Sequence, residues 1–168
     1  MKHQSLFFTI VFLFGFCICA FSQPIAAKFQ EADKLGISMS RIEGEYKSAI
    51  HVDTAFAVFK SANAQEQMIA AYHKLVKDFG KYLSDNQFFW DKKTQCFNRI
   101  YFNENGSIDY FLFNFLGPAD EKPSEERQKE FNRILNEFIK DYKISVTAAV
   151  KFSQCSPVIY MPKETKNE

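Results

Sequence analysis

Surplus charge is the first thing this sequence lacks. Lys2 is the only charge in the first 22 residues, and the 146 residues from Gln23 onward balance 20 basic against 20 acidic side chains. No block of five like charges occurs. Such neutrality argues against nucleic acid or an anionic membrane surface as the main partner. Catalytic signatures are equally scarce. There is no glycine-rich phosphate loop, no nucleophile elbow and no Cys-x-x-Cys pair, and nothing implies a cofactor. Only His51 and His73 remain beyond the leader. His51-Val52-Asp53 is the nearest approach to a catalytic or metal-binding pair, but no third ligand stands beside it. Cysteines are few as well: Cys17 and Cys19 fall in the leader, leaving Cys96 and Cys155. In an exported chain two remaining cysteines are most simply read as one disulfide, and a cysteine nucleophile beside a histidine is the alternative.

What is present begins with an address. Met1 to Ser22 has a lysine near its start, an apolar run, and Ala20 and Ser22 at the small-residue positions before Gln23. This reads as a cleaved signal peptide, with an uncleaved anchor as the competing reading. Neither leader cysteine follows a small residue, which disfavours a lipid anchor. The expected location is periplasmic or extracellular, with no integral membrane segment after cleavage.

The fold is predicted from periodicity. Residues 24–63 read as a short helical lead-in, with one helix stopping at Leu35-Gly36 and another carrying Ile42, Tyr46 and Ile50 four apart. Ala55 to Phe59 is ambiguous between helix and strand. Asn63 to Ser84 is the clearest helix, capped by Asn63 with Glu66 three residues on. Met68, Tyr72, Leu75, Val76, Phe79 and Leu83 form its apolar stripe. Phe88, Phe89 and Trp90 follow in a loop, and three adjacent aromatics cannot all face one core. A second helix is capped by Ser124 and carries Phe131, Ile134, Leu135, Phe138 and Ile139 on one stripe. Ile144 to Phe152 then alternates as a half-buried strand, and Val158 to Tyr160 is a candidate further strand.

Between the helices lies the stretch that organises the rest, Cys96 to Phe115. Two aromatic and branched runs flank Asn103-Glu104-Asn105-Gly106, the signature of a hairpin closed by a type I turn with a left-handed glycine. In that register Arg99, Tyr101, Asp109, Phe111, Phe113 and Phe115 share one face and Ile100, Phe102, Ile108, Tyr110 and Leu112 the other. A two-residue Asn105-Gly106 loop would shift the pairing by one and exchange the second strand's two rows. The first face mixes charge with aromatics, which suits either a binding surface or a face covered by residues 24–63 with its charges at the rim. A disulfide between Cys96 and Cys155 would require Cα atoms within roughly 7 Å. It would place the last strand antiparallel beside the first hairpin strand, with the second helix as a crossover.

The sum is an α+β fold of two layers: an antiparallel hairpin plus a last strand packed against two long amphipathic helices. The expected divisions are a signal peptide over 1–22, a single domain over 23–160 (lead-in 23–62, core 63–160) and a polar tail over 161–168. The RIYFNENGSIDYFLF hairpin and the order helix, strand, strand, helix, strand resemble the C-terminal domains of TonB and TolA over about Gln65 to Tyr160. The family's membrane anchor, proline-rich spacer and Trp/Phe-x-Pro motif are missing. The resemblance implies a small envelope module that binds a protein partner, including by strand addition at a sheet edge.

Two functional readings follow. The first is a non-enzymatic interaction or ligand-binding module of the bacterial envelope. Its partner, an envelope protein or a small ligand, would sit on an aromatic sheet face or edge through Arg99, Tyr101, Asp109, Phe111 and Trp90. The second is a small exported enzyme with His51 and Asp53 in a site between the sheet and residues 23–63.

Overall fold

A computed structural model describes residues 23–163. The signal-peptide reading of Met1 to Ser22 and the last five residues of the expected tail lie outside them. The elements are β1 (Ile25–Lys28), α1 (Met39–Glu45), β2 (Lys47–Ser48), α2 (Ala62–Asp85), β3 (Thr94–Phe102), β4 (Ile108–Phe115), α3 (Glu125–Ile139) and β5 (Phe152–Tyr160), with 3-10 turns at Phe29–Glu31, Asp33–Leu35 and Thr54–Phe56. The fold is α+β. Its five-stranded sheet runs β1-β4-β3-β5-β2, antiparallel in the middle and parallel at both margins. Among the described residues no helix is long and apolar enough to cross a membrane.

Both long helices pack on one face of the sheet. Met68, Leu75, Phe79 and Leu83 of α2 and Phe131, Ile134 and Leu135 of α3 meet Cys96, Ile100, Phe102, Phe111, Phe113 and Phe115 in one buried cluster. The cap of α2 differs from the expected one: Ser61, two residues before Asn63, accepts from the Ala64 N–H at 3.2 Å. Ser124 caps α3 as its sequence indicates, accepting from Arg127 N–H at 3.3 Å. Glu125 and Glu126 in the first turn favour the helix dipole.

The lead-in departs from the helical reading. Ile25–Lys28 is a strand parallel to β4. Its small residues decide this: Ala26 and Ala27 are both buried, on opposite faces of the sheet, so each layer can approach closely. The outer edge of β1 is closed by a side chain. Asn136 of α3 donates from Nδ2 to the Ala26 carbonyl and accepts from the Ala26 N–H, both at 2.9 Å, as a neighbouring strand would. Gly36 does end its helical turn, at φ +74°.

The last strand is displaced from the expected one. Residues 144–150 alternate in hydrophobicity, but their hydrogen bonds go to the hairpin tip. Ile144 N–H donates to the Gly106 carbonyl and Ala148 N–H to that of Glu104, both at 3.0 Å. The place beside β3 is taken by Phe152–Tyr160, with Cys96 opposite Val158 and Phe97 opposite Pro157. Proline is tolerated there for a geometric reason. The carbonyls of Lys151 and Ser153 accept from β2 and Ala49, so odd-numbered residues aim their backbone groups away from β3. The N–H that Pro157 lacks would have pointed off the free edge.

The expected strand order, with the last strand antiparallel beside the first hairpin strand and α3 crossing over, is present without the bridge that would have enforced it. Cys96 and Cys155 are both free thiols. Cys155 stands opposite Arg99, three positions along β3 from Cys96, and three positions along a strand put the two side chains on opposite faces. Burial pushes the Cys96 thiol up to about 12, whereas Cys155 is exposed. In the chain from Gln23, a thiol alkylating reagent at neutral pH is therefore expected to modify Cys155 alone when folded and both Cys96 and Cys155 in denaturant. A mass shift of one adduct native and two unfolded checks this; no adduct in denaturant without reductant would contradict it.

Candidate functional site

The hairpin turn forms as its sequence demands. Gly106 has φ +83° and donates to the Asn103 carbonyl, while Asn103 N–H donates to Ser107. Just beyond the turn the register slips. Phe102 pairs with Ile108, but Tyr101 pairs with Tyr110, leaving Asp109 as a bulge. One extra residue exchanges every later side chain between faces. Phe111 thus belongs to the helix face, 6.3 Å from the Phe79 ring, while Tyr101 lies on the other face. The surface expected to combine Arg99, Tyr101, Asp109 and Phe111 does not form as one patch.

The second face is covered by the lead-in. Ile37, Ile42 and Tyr46 bury Tyr101 and Leu112 completely, and Tyr46 sits edge-on to Tyr101 at 5.2 Å. Charges emerge at the rim. Arg99 pairs with Glu43 at 3.2 Å and lies 5.4 Å over the Tyr101 ring. Asp109, turned out by the bulge, accepts from Tyr46 Oη at 2.6 Å and pairs with Lys151 at 3.3 Å. Burial, then the Asp109 carboxylate, raises the Tyr46 hydroxyl well above its ordinary range. Lys151 is also held up: burial works against its charge, but Glu45 at 2.7 Å and Asp109 outweigh that. The groups satisfy one another, so this rim fastens the cover to the sheet. Sequence reasoning missed Tyr46 and Lys151 as partners, because only the bulge brings Asp109 to them.

His51 and Asp53 do not assemble a reactive pair. The Asp53 carboxylate caps the Thr54–Phe56 turn by accepting from Ala55 N–H at 3.0 Å, and His51 Nδ1 faces the Asp53 backbone N–H at 3.0 Å. The imidazole is exposed and lies 5.5 Å from the Phe56 ring. Among the described residues no group of three histidine, cysteine, aspartate or glutamate side chains is placed to hold a metal ion. A buried polar trio lies in the core instead. Cys96 Sγ donates to Asn98 Oδ1 at 3.2 Å, while Asn98 Nδ2 and the Tyr72 hydroxyl have no partner among the described residues.

Three expected site residues line openings: Arg99 a groove of about 670 Å³ with Glu43, Phe56 and Val150, Asp109 a more polar one with Lys151, and Trp90 a largely apolar one. The C-terminus of α2 builds one wall of the Trp90 opening. Phe88 N–H donates to the Leu83 carbonyl and Gln87 N–H to that of Ser84, with Gln87 in the left-handed conformation at φ +58°. This Schellman stop reverses the chain and turns Phe88 back onto the core. Phe88 and Trp90 are buried while Phe89 stays half-buried at the rim, so the three adjacent aromatics do divide between core and surface. Trp90 stacks on Tyr160 at 4.8 Å. The result is a cleft of about 530 Å³ between α2, the Phe88–Trp90 loop and the end of β5. Exposed Ile159 near the end of β5 and Met161 just past it continue its apolar surface, at 54% and 65% accessibility.

Gly80 forms part of the α2 wall. It lies inside a 24-residue helix, where glycine costs about 1 kcal/mol relative to alanine. Neither positive φ nor a close neighbour requires it, for a Cβ built there meets nothing within 4 Å. What its missing side chain leaves is space in the cleft. Lys163 closes the mouth, its ammonium 4.4 Å over the Phe89 ring, and is the only charged residue among those lining the cleft. Sequence reasoning placed Met161 and Lys163 in a polar tail and gave Gly80 no role. The run Phe88-Phe89-Trp90 was the signal that pointed here.

No family model, curated protein or solved structure matches this chain.

Proposed function

We propose that the protein is a small exported binding module of the bacterial envelope, without chemistry of its own, that holds its partner at the cleft beside Trp90. The cleft carries this reading. It is within the size range of small-ligand sites, roughly 300–1,000 Å³. It is lined mainly by apolar and aromatic side chains and opens where the outer edge of β5, past β2, has no strand beside it among the described residues. The leader supports export. The element order, which resembles the TonB and TolA C-terminal domains, supports an envelope module, although their anchor and spacer are missing.

The two other places expected to bind are less suited to it. The helices cover one sheet face, and the lead-in covers the other around Tyr101 and Leu112, where the aromatic surface was expected. Among the β5 residues only Cys155, Pro157 and Ile159 are left exposed there. Strand addition meets Asn136 on the β1 edge and Pro157 in the middle of the β5 edge.

The test compares the chain from Gln23 with its Gly80→Leu variant, in which a side chain fills the cleft and helix propensity improves. Each is immobilised, exposed to envelope extract and washed, and both protein and solvent-extractable material are identified. Material retained by the wild-type chain and lost from the variant is the expected result. Identical retention by both would overturn the assignment of the site. A mature N-terminus at Gln23, read by mass, is the companion expectation for export.

A further inference from the structure

We infer that the ligand of this cleft is an anionic amphiphile: a medium- or long-chain carboxylate whose chain lies along Gly80 and whose head meets Lys163. The inference rests on the binding-module reading and gives that site its chemistry. Three observations converge on it. The walls are apolar, so the body of the ligand is apolar. Gly80 leaves a helix-side recess that no backbone constraint demands. The polar equipment is sparse and of one sign: Lys163 is the only charge among the lining residues, and its ammonium rests on the Phe89 ring rather than against a carboxylate among the described residues.

Trp90, 8% exposed, gives the cleft an aromatic floor. One ammonium matches a head with a single negative charge. A dianionic phosphate would lack a second cation here. An uncharged ester or alcohol would leave Lys163 unused.

The chain reports on its own cleft, because Trp90 is its single tryptophan. The experiment titrates the protein with laurate and with methyl laurate, below their aggregation limits, and follows Trp90 emission. Laurate is expected to produce a saturable change at least about tenfold tighter than the ester, the order of one charge-assisted hydrogen bond. Lys163→Gln, at an exposed position, should bring the two probes to similar affinity. Gly80→Leu should abolish the change for both, with its fold checked by circular dichroism. If laurate and ester bind equally and Gly80→Leu abolishes both, the carboxylate assignment is overturned while the cleft stays a binding site. The same holds if a protein is captured at the cleft and neither probe binds. If no probe and no captured material responds to Gly80→Leu, both the inference and the reading beneath it fail.

Discussion

Replacing Phe131 with alanine is expected to cost about 3–5 kcal/mol of stability, the range for an emptied aromatic core position. Phe131 is fully buried at the centre of the aromatic cluster. Its ring lies 5.1 Å from Phe113, 5.3 Å from Phe115, 5.4 Å from Phe79, 5.5 Å from Trp90 and 5.9 Å from Tyr160. One side chain therefore ties α3 to α2, to β4, to the Phe88–Trp90 loop and to the end of β5. Alanine would leave a cavity touching all four, and rigid neighbouring rings cannot collapse to fill it. Urea denaturation measures the change, with Phe131→Leu as an intermediate that keeps part of the volume. A loss below about 1.5 kcal/mol for alanine, the level of a volume-conserving swap, would contradict this packing.

Gly106→Ala is expected to destabilise by about 2–4 kcal/mol, for two reasons that add. Gly106 sits at φ +83°, where an L-residue is strained. A Cβ there would also fall 2.7 Å from the Ile144 carbonyl oxygen and 2.9 Å from that of Val146. Both contacts are backbone, so neither yields by a rotamer change. Gly106→Asn separates the causes. Asparagine tolerates the left-handed conformation, so a turn limited by φ alone would recover much of the loss. With residues 144–146 lying across the turn, asparagine is expected to do no better than alanine. Recovery in Asn would show that this segment does not press on the hairpin tip.

The same segment shows where sequence reasoning ends. The two long helices, the turn and the α+β class were legible, because each depends on local periodicity, capping or a glycine at positive φ. Ser124 and Gly106 could be read directly. The bulge at Asp109 could not. Turn residues fix the first pair of a hairpin, Phe102 with Ile108, but the slip one residue later is set by what the bulged side chain meets, here Tyr46 and Lys151 from elsewhere in the chain. That slip moved Phe111 to the helix face and dissolved the expected Arg99–Phe111 surface.

The displaced last strand has a similar cause. Residues 144–150 carry the alternating pattern, and both the weak alternation of residues 152–160 and Pro157 count against a strand in the later segment. Pro157 is harmful only if its backbone faces a neighbour, and which way it faces depends on where β2 ends. The free thiols follow from the same displacement: with β5 eight residues later than expected, Cys155 lies inside the strand on the face away from Cys96. At the cleft, Trp90 was legible as an aromatic in an aromatic run. Lys163 and Met161 were not, since only the later β5 carries the chain end to Trp90.

The central claim is that partners bind at the Trp90 cleft and not elsewhere on the apolar surface. A photoreactive phenylalanine analogue placed at Met161, beside the cleft, or at Phe56, on the loop that follows β2, tests it most directly. The two positions are almost equally exposed, at 65% and 67%, so accessibility alone cannot separate them. After expression and irradiation in exporting cells, mass spectrometry of the recovered protein is expected to show a discrete adduct from position 161, lost when Gly80→Leu is added, and none from position 56. Equal labelling from both positions, labelling from 56 alone, or an adduct at 161 indifferent to Gly80→Leu would contradict the account.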